Sequence, residues 1–175
     1  MISIIVAYDK NGCIGKDGNM PWHISADLKW FKQCTLNHKV VMGRKTYQAI
    51  GSLLKNRTNI IVSAKDIDNK DCLVIHDFKK FLIDNQYTDE EIFVIGGASI
   101  YKQAIPYTTR FYITFVDTEV INGDVFFPKL NLEEAKIKYH KKDYDKYNLD
   151  FYVIDKSKCN LDFDIIDNYK NIKEI

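Results

Sequence analysis

Three short stretches of this chain, Ile2 to Tyr8, Val40 to Met42 and Ile92 to Ile95, are apolar and largely β-branched, with almost no polar alternation. A strand of that kind must be covered on both faces, which an isolated antiparallel sheet does not provide. The second stretch stops at Gly43 and runs into Arg44 to Ile50, a helical stretch closed by Gly51. The third stops at Gly96-Gly97 and runs into Ala98 to Ile105, ended by Pro106. Strand, glycine and helix in succession predict parallel strands joined by helical crossovers. Asn59 to Ser63 and Cys72 to Ile75 read as further strands, and Phe78 to Asp84 as a helix. Later the pattern changes. Arg110 to Val116 is a strand, Gly123-Asp124 a turn and Phe126-Phe127-Pro128 a bend back to the core, while Ala135 to Lys141 and Leu149 to Ile154 alternate. These last two predict antiparallel strands at a sheet edge.

A chain of 175 residues suits one domain with a substantial core. Its 25 Lys and Arg balance 24 Asp and Glu, so there is no global positive field to recruit nucleic acid. The four cysteines, Cys13, Cys34, Cys72 and Cys159, are scattered without CxxC spacing, which argues against a zinc cluster or disulfide framework. The N-terminus lacks a basic leader, and no run approaches the ~18 apolar residues of a membrane span. The expectation is a cytoplasmic chain with reduced thiols and no bound metal. Cys159 to Ile175 places Asp, Asn and Lys around isolated Ile residues. It reads either as a docked helix or, preferably, as a poorly ordered extension.

Three places could carry chemistry. After the polar, glycine-bearing loop from Asp9 to Asn19, Pro21 and Trp22 lead into a helix from about Ser25, its expected N-cap, to Thr35. Asp27 shares a helix face with Phe31 and stands beside Leu28. A carboxylate among apolar neighbours loses hydration, which raises its pKa and suits it to proton transfer near neutrality. The plainer alternative is an acid in a first helical turn, favoured by the dipole. Gly43 with Arg44, Lys45 and Thr46 is a strand-to-helix turn that can hold a phosphate or simply expose two cations. Gly96-Gly97 allows close backbone approach to a pyrophosphate, although it is not the GxGxxG fingerprint.

Taken in order, these motifs resemble a known family. They are Ile14-Gly15 with Met20-Pro21-Trp22, Asp27 to Lys32, Val41 to Thr46, Arg57 to Ser63, Ile95 to Tyr101, Tyr112-Ile113-Thr114, and Gly123-Asp124 leading to Phe127-Pro128. Together they resemble dihydrofolate reductases of the bacterial chromosomal type, from Met1 to about Lys158. The resemblance implies a central mixed eight-stranded sheet, mostly parallel with an antiparallel C-terminal strand, flanked by about four helices. The implied reaction is NADPH-dependent reduction of 7,8-dihydrofolate, with hydride to pterin C6 and a proton to N5. Dihydrofolate and antifolate-type inhibitors are the implied ligands, and a monomer without nucleic acid or membrane partners the implied state.

The resemblance also implies roles. Asp27 would hold the pterin amino group and N3, Thr114 would support its carboxylate, and Trp22 would help hold a water. Ile5, Ala7, Leu28, Phe31, Ile50, Leu54 and Ile95 would wall the substrate. Arg57 would pair with the α-carboxylate of the glutamate tail, near Lys32 at its exit. Ala7, Ile14, Gly15 and Met20 would border the nicotinamide under a lid spanning residues 12–20. Gly43, Arg44, Lys45 and Thr46, with Gly96, Gly97, Ala98, Ser99, Ile100 and Tyr101, would meet the phosphates across a cis Gly96–Gly97 bond. Arg44 and Ser63 would meet the 2′-phosphate, with Lys65 or His76 as helpers, and Ala64 stands where a second hydroxyl often helps hold it. Leu53, Lys55 and Asn56 replace a Pro-rich turn, which implies a looser segment before Arg57. Two other readings compete: a pyrimidine reductase of the same fold, and a non-catalytic dinucleotide-binding module.

Overall fold

The computed structural model describes residues 1–130 and 135–156; the extension beyond 158 lies outside them. Among the described residues, ten strands and four helices follow in order. They are β1 (Ile2–Tyr8), β2 (Cys13–Gly15), α1 (Ser25–Thr35), β3 (Lys39–Gly43), α2 (Arg44–Ile50), β4 (Thr58–Val62) and β5 (Leu73–Ile75). Then come α3 (Phe78–Asn85), β6 (Ile92–Gly96), α4 (Ala98–Ala104), β7 (Thr108–Val116), β8 (Val125–Phe126), β9 (Lys136–Tyr144) and β10 (Asn148–Asp155).

Eight strands form one sheet in the order β5-β4-β3-β6-β1-β7-β10-β9. Every pairing from β5 to β7 is parallel, and β10 is antiparallel to both of its neighbours. The sheet is therefore mixed, with the C-terminal strand running against the rest. The apolar run Ile2–Tyr8 is near the middle, and six of its seven residues are buried. Its alternate residues feed two cores. Ile2, Ile4, Val6 and Tyr8 pack with Phe78 and Leu82 of α3 and with Ile100, Tyr101 and Ala104 of α4. On the other face, Ile5 packs with Val40, Met42, Ile61 and Phe93, against Trp30 and Phe31 of α1 and Tyr47 of α2. Two helices per face explain why the central strands need no polar side.

Several local expectations change. Ser25 is not the cap of α1: it lies within the helix, Ile24 is the N-cap, and no cap side chain accepts a hydrogen bond. Instead Ala26 N–H donates to Asp145 Oδ2 (3.2 Å), from the β9–β10 turn. Pro106 does not end α4 after Ile105. The helix stops at Ala104, and Pro106 sits inside a 3-10 turn over Ile105–Tyr107. The loop after β1 is partly built, because Cys13–Gly15 pairs with β8 as a separate ribbon.

Candidate active site

The side chain of Asp27 projects from the first turn of α1 onto the sheet and is only 7% exposed. Burial pushes its carboxyl pKa up, and a hydrogen bond from Thr114 pulls partly in the other direction. Thr114 is itself buried in β7, in register with Ala7 of β1. The carboxylate, its hydroxyl donor and the small Ala7 side chain thus meet where two neighbouring strands end.

The apolar residues around this acid are incompletely covered. Leu28 of α1 and Ile50 of α2 are 40% and 39% exposed. Phe31, Leu54 and Ile95 are partly buried and pack against the cluster that contains Ile5. Trp22 is partly buried, yet its Nε1–H is enclosed and reaches no acceptor among the described residues. An enclosed N–H of that kind calls for water or a ligand.

On the other side of β1, the parallel pairing of β3 with β6 brings two strand-to-helix turns together. Gly43 precedes α2, and Gly96–Gly97, joined by a cis peptide, precedes α4. Gly96 has φ +119°, a region that side chains rarely enter. A Cβ on Gly97 would stand 3.3 Å from Thr46 Oγ1, and one on Gly43 would stand 3.1 Å from Ile100 Cγ1. The two turns therefore form a close-packed glycine cradle, its glycines without side chains of their own and pressed by Thr46 and Ile100. Arg44, Lys45 and Ser99 are exposed beside it, and Ala98 and Thr46 are half-buried. Tyr101 lies beneath; its hydroxyl donates to Ile5 O (2.9 Å), and burial, then the charge of Asp27, drives its pKa upward.

The other expected residues are spread around this centre. Ile14 and Gly15 lie in β2, and Met20 is 52% exposed. Arg57 is half-buried and Lys32 exposed. Ser63 is buried, its hydroxyl donating to Lys65 O (2.6 Å) and accepting from Lys65 N–H (3.2 Å). Ala64 and Lys65 are exposed on that turn. His76 Nδ1 meets Ser63 O (2.7 Å), and its Nε2 lies 3.3 Å from an Asp66 carboxylate oxygen.

Sequence reading missed three organising side chains. Asp9 is fully buried; Oδ1 accepts N–H bonds from Asn11 (2.9 Å) and Cys13 (2.8 Å), and Oδ2 accepts one from Val120 (2.7 Å). Asp-X-Asn-Gly is a turn signature that points to the first two of these bonds. Asp124 closes the other end of the same ribbon: its N–H donates to Gly15 O (3.1 Å), and Oδ2 accepts from Asp17 N–H (3.0 Å). Asn59 clamps the segment before Arg57. Its Oδ1 accepts from Leu54 N–H, and its Nδ2 donates to Leu54 O and Arg57 O, all at 3.0 Å. The absent prolines therefore do not leave this turn loose.

The family model for dihydrofolate reductase matches residues 1–156. The chain belongs to the dihydrofolate reductase family. It is 44% identical over 153 residues to the dihydrofolate reductase of Bacillus subtilis, covering 83% of this chain and 90% of that one. The Haemophilus influenzae dihydrofolate reductase is 43% identical over 138 residues, covering 78% and 84%. A solved Enterococcus faecalis dihydrofolate reductase, complexed with NADP(H) and RAB-propyl, superposes with a TM-score of 0.80 at 30% identity. That match covers 89% of this chain and 95% of the other. The family's reaction, NADPH-dependent reduction of dihydrofolate to tetrahydrofolate, is the reaction of this chain. Among the described residues, no helix is long and apolar enough to cross a membrane.

Proposed function

We propose that Asp27 is the acid that holds the pterin and promotes protonation at N5, and that its burial over Thr114 is what carries this reading. A carboxyl with a raised pKa keeps proton affinity close to the working pH, as general acid–base chemistry requires. Thr114 fixes which way the carboxylate faces. The enclosed N–H of Trp22 holds one water beside it, which relays the proton to N5 without direct contact from Asp27. NADPH, when bound, supplies the hydride to pterin C6. The glycine cradle of Gly43 and Gly96–Gly97 fits its pyrophosphate, since these residues put no side chain of their own over the backbone N–H groups that open α2 and α4. Arg44, Lys45, Thr46 and Ser99 to Tyr101 line that approach, and Arg44 and Ser63, helped by Lys65 or His76 beside Ala64, meet the 2′-phosphate. Ala7, Ile14, Gly15 and Met20 cover the nicotinamide and exclude water. Ile5, Leu28, Phe31, Ile50, Leu54 and Ile95 hold the pterin and benzoyl parts of the substrate. Arg57 receives the α-carboxylate of its tail, with Lys32 at the exit.

Residues 1–158 form the catalytic unit, working as a cytoplasmic monomer without nucleic acid; antifolates of the diaminopyrimidine kind compete for the Asp27 site. The test is NADPH oxidation by the purified chain with and without dihydrofolate, repeated with Asp27→Asn and with a diaminopyrimidine competitor. The expected result is dihydrofolate-dependent oxidation that the competitor blocks and the variant loses at neutral pH, while NADPH still binds. Turnover by the Asp27→Asn variant at the unsubstituted rate across pH would refute the role given to the carboxyl.

A further inference from the structure

Arg57 has a second set of contacts that its role in tail binding does not itself require. Its Nη1 donates to Thr35 Oγ1 (3.2 Å), and its Nε donates to Lys55 O (3.0 Å). The Phe31 ring lies beneath, 5.9 Å from the guanidinium carbon. Thr35 is the last residue of α1 and is fully buried. Its hydroxyl donates to Phe31 O (2.7 Å). A hydroxyl has one proton, so with that proton committed to a carbonyl the oxygen faces Arg57 as an acceptor only. Bonding back to the carbonyl four residues earlier is common for threonine in a helix. Holding a cation 22 residues away is not. The other end of Arg57 is also fixed, since Asn59 Nδ2 takes its backbone carbonyl.

We propose that Thr35 is the positioning residue that presets Arg57 for the substrate's tail carboxylate. This rests on the reading of Arg57 given above. A guanidinium carries five N–H groups. Lys55 O and Thr35 Oγ1 take two, and the remaining three span both terminal nitrogens, enough for a carboxylate bound through two parallel bonds. Both acceptors used by the protein are neutral, and burial alone lowers the pKa of the guanidinium. The cation is thus held in place without its charge being cancelled, and binding an anion need not first displace a protein carboxylate. Presetting a long side chain reduces the rotamer freedom lost on binding.

The experiment compares two substrates in the full chain: dihydrofolate, and 6-methyl-7,8-dihydropterin, which lacks the tail. Thr35→Val keeps the shape and removes the acceptor. It should raise KM for dihydrofolate about tenfold, leave kcat unchanged and leave kcat/KM for the tail-less pterin unchanged. Thr35→Ser should restore KM to near its original value. Equal losses with both substrates, an unmoved KM for dihydrofolate, or a serine variant as impaired as the valine one would each overturn the inference. NADPH affinity, measured in every variant, reports whether the fold is retained. Arg57→Leu separates the two levels of argument. If it raises KM for dihydrofolate and Thr35→Val does not, Thr35 has no positioning role, and Arg57 keeps its own. If it changes nothing, the tail site itself is misplaced, and the inference falls with it.

Discussion

Replacing Asp27 with Asn should make the ligand-free protein more stable at neutral pH while removing its activity. The carboxyl is nearly inaccessible, and its pKa is raised by burial, with one opposing hydrogen bond from Thr114. The native state therefore holds this proton more tightly than the unfolded chain does. As pH rises from the unfolded value of 3.8 through the native value, the unfolded state releases its proton first, so stability falls across that window. Burying a carboxylate costs several kcal/mol, and one hydrogen bond to a charged group returns about 1.5–3 kcal/mol. The net penalty removed by Asn, which still accepts from Thr114, is on the order of 2 kcal/mol. For a chain of this size that corresponds to a rise in Tm of roughly 4–8 °C at pH 7. Thermal unfolding of both proteins from pH 3 to 8 reads it directly: the gap should close below the unfolded carboxylate pKa of 3.8 and open as pH rises. A gap that is constant with pH, or an Asn variant less stable at pH 7, would refute the claim that this carboxylate is held against its own solvation.

Other consequences are equally direct. Thr114→Val removes the bond that favours the charged carboxyl, so the Asp27 pKa should rise further and the alkaline fall of kcat/KM should move to higher pH; an unmoved or lowered profile excludes the bond. Gly97→Ala would press a methyl against Thr46 Oγ1, and NADPH should bind about tenfold more weakly by fluorescence titration, with little change in competitor binding. Trp22→Phe removes the enclosed N–H and should lower the single-turnover rate by about tenfold or more, with NADPH affinity retained. Asp9→Ala leaves three backbone N–H groups without their acceptor, and proteolysis should then cut residues 9–20 faster than the rest of the chain.

The parts of this molecule that could be read from sequence are those set by neighbours along the chain. Ile2–Tyr8 lies inside the sheet because its own side chains leave it no polar face. The glycine turns at Gly43 and Gly96–Gly97 open helices as their residues require. What escaped notice depends on residues far apart in sequence. Ser25 is a good local cap, but Asp145 does the work from 119 residues away. In sequence Asn59 is one polar residue at a strand start, and only the return of residues 54–57 over it gives its amide three partners. Asp9 could have been half-found from its turn motif, but its bond to Val120 has no local signature.

Burial decides between the two readings of Asp27. An acid in a first helical turn ordinarily stays solvated and answers the orphan N–H groups and the dipole. Here one of those N–H groups, that of Ala26, is taken by Asp145. The Asp27 carboxylate is buried instead, with Thr114 as its hydrogen-bond partner. Burial pushes the Asp27 pKa up, and the hydrogen bond from Thr114 only partly opposes it. Neither condition suffices alone. An acid used as a cap would face the wrong way, and one left in water would hold its proton too weakly. Because β1 lies between β6 and β7, the cradle at the end of β6 and the acid over β7 flank the same strand.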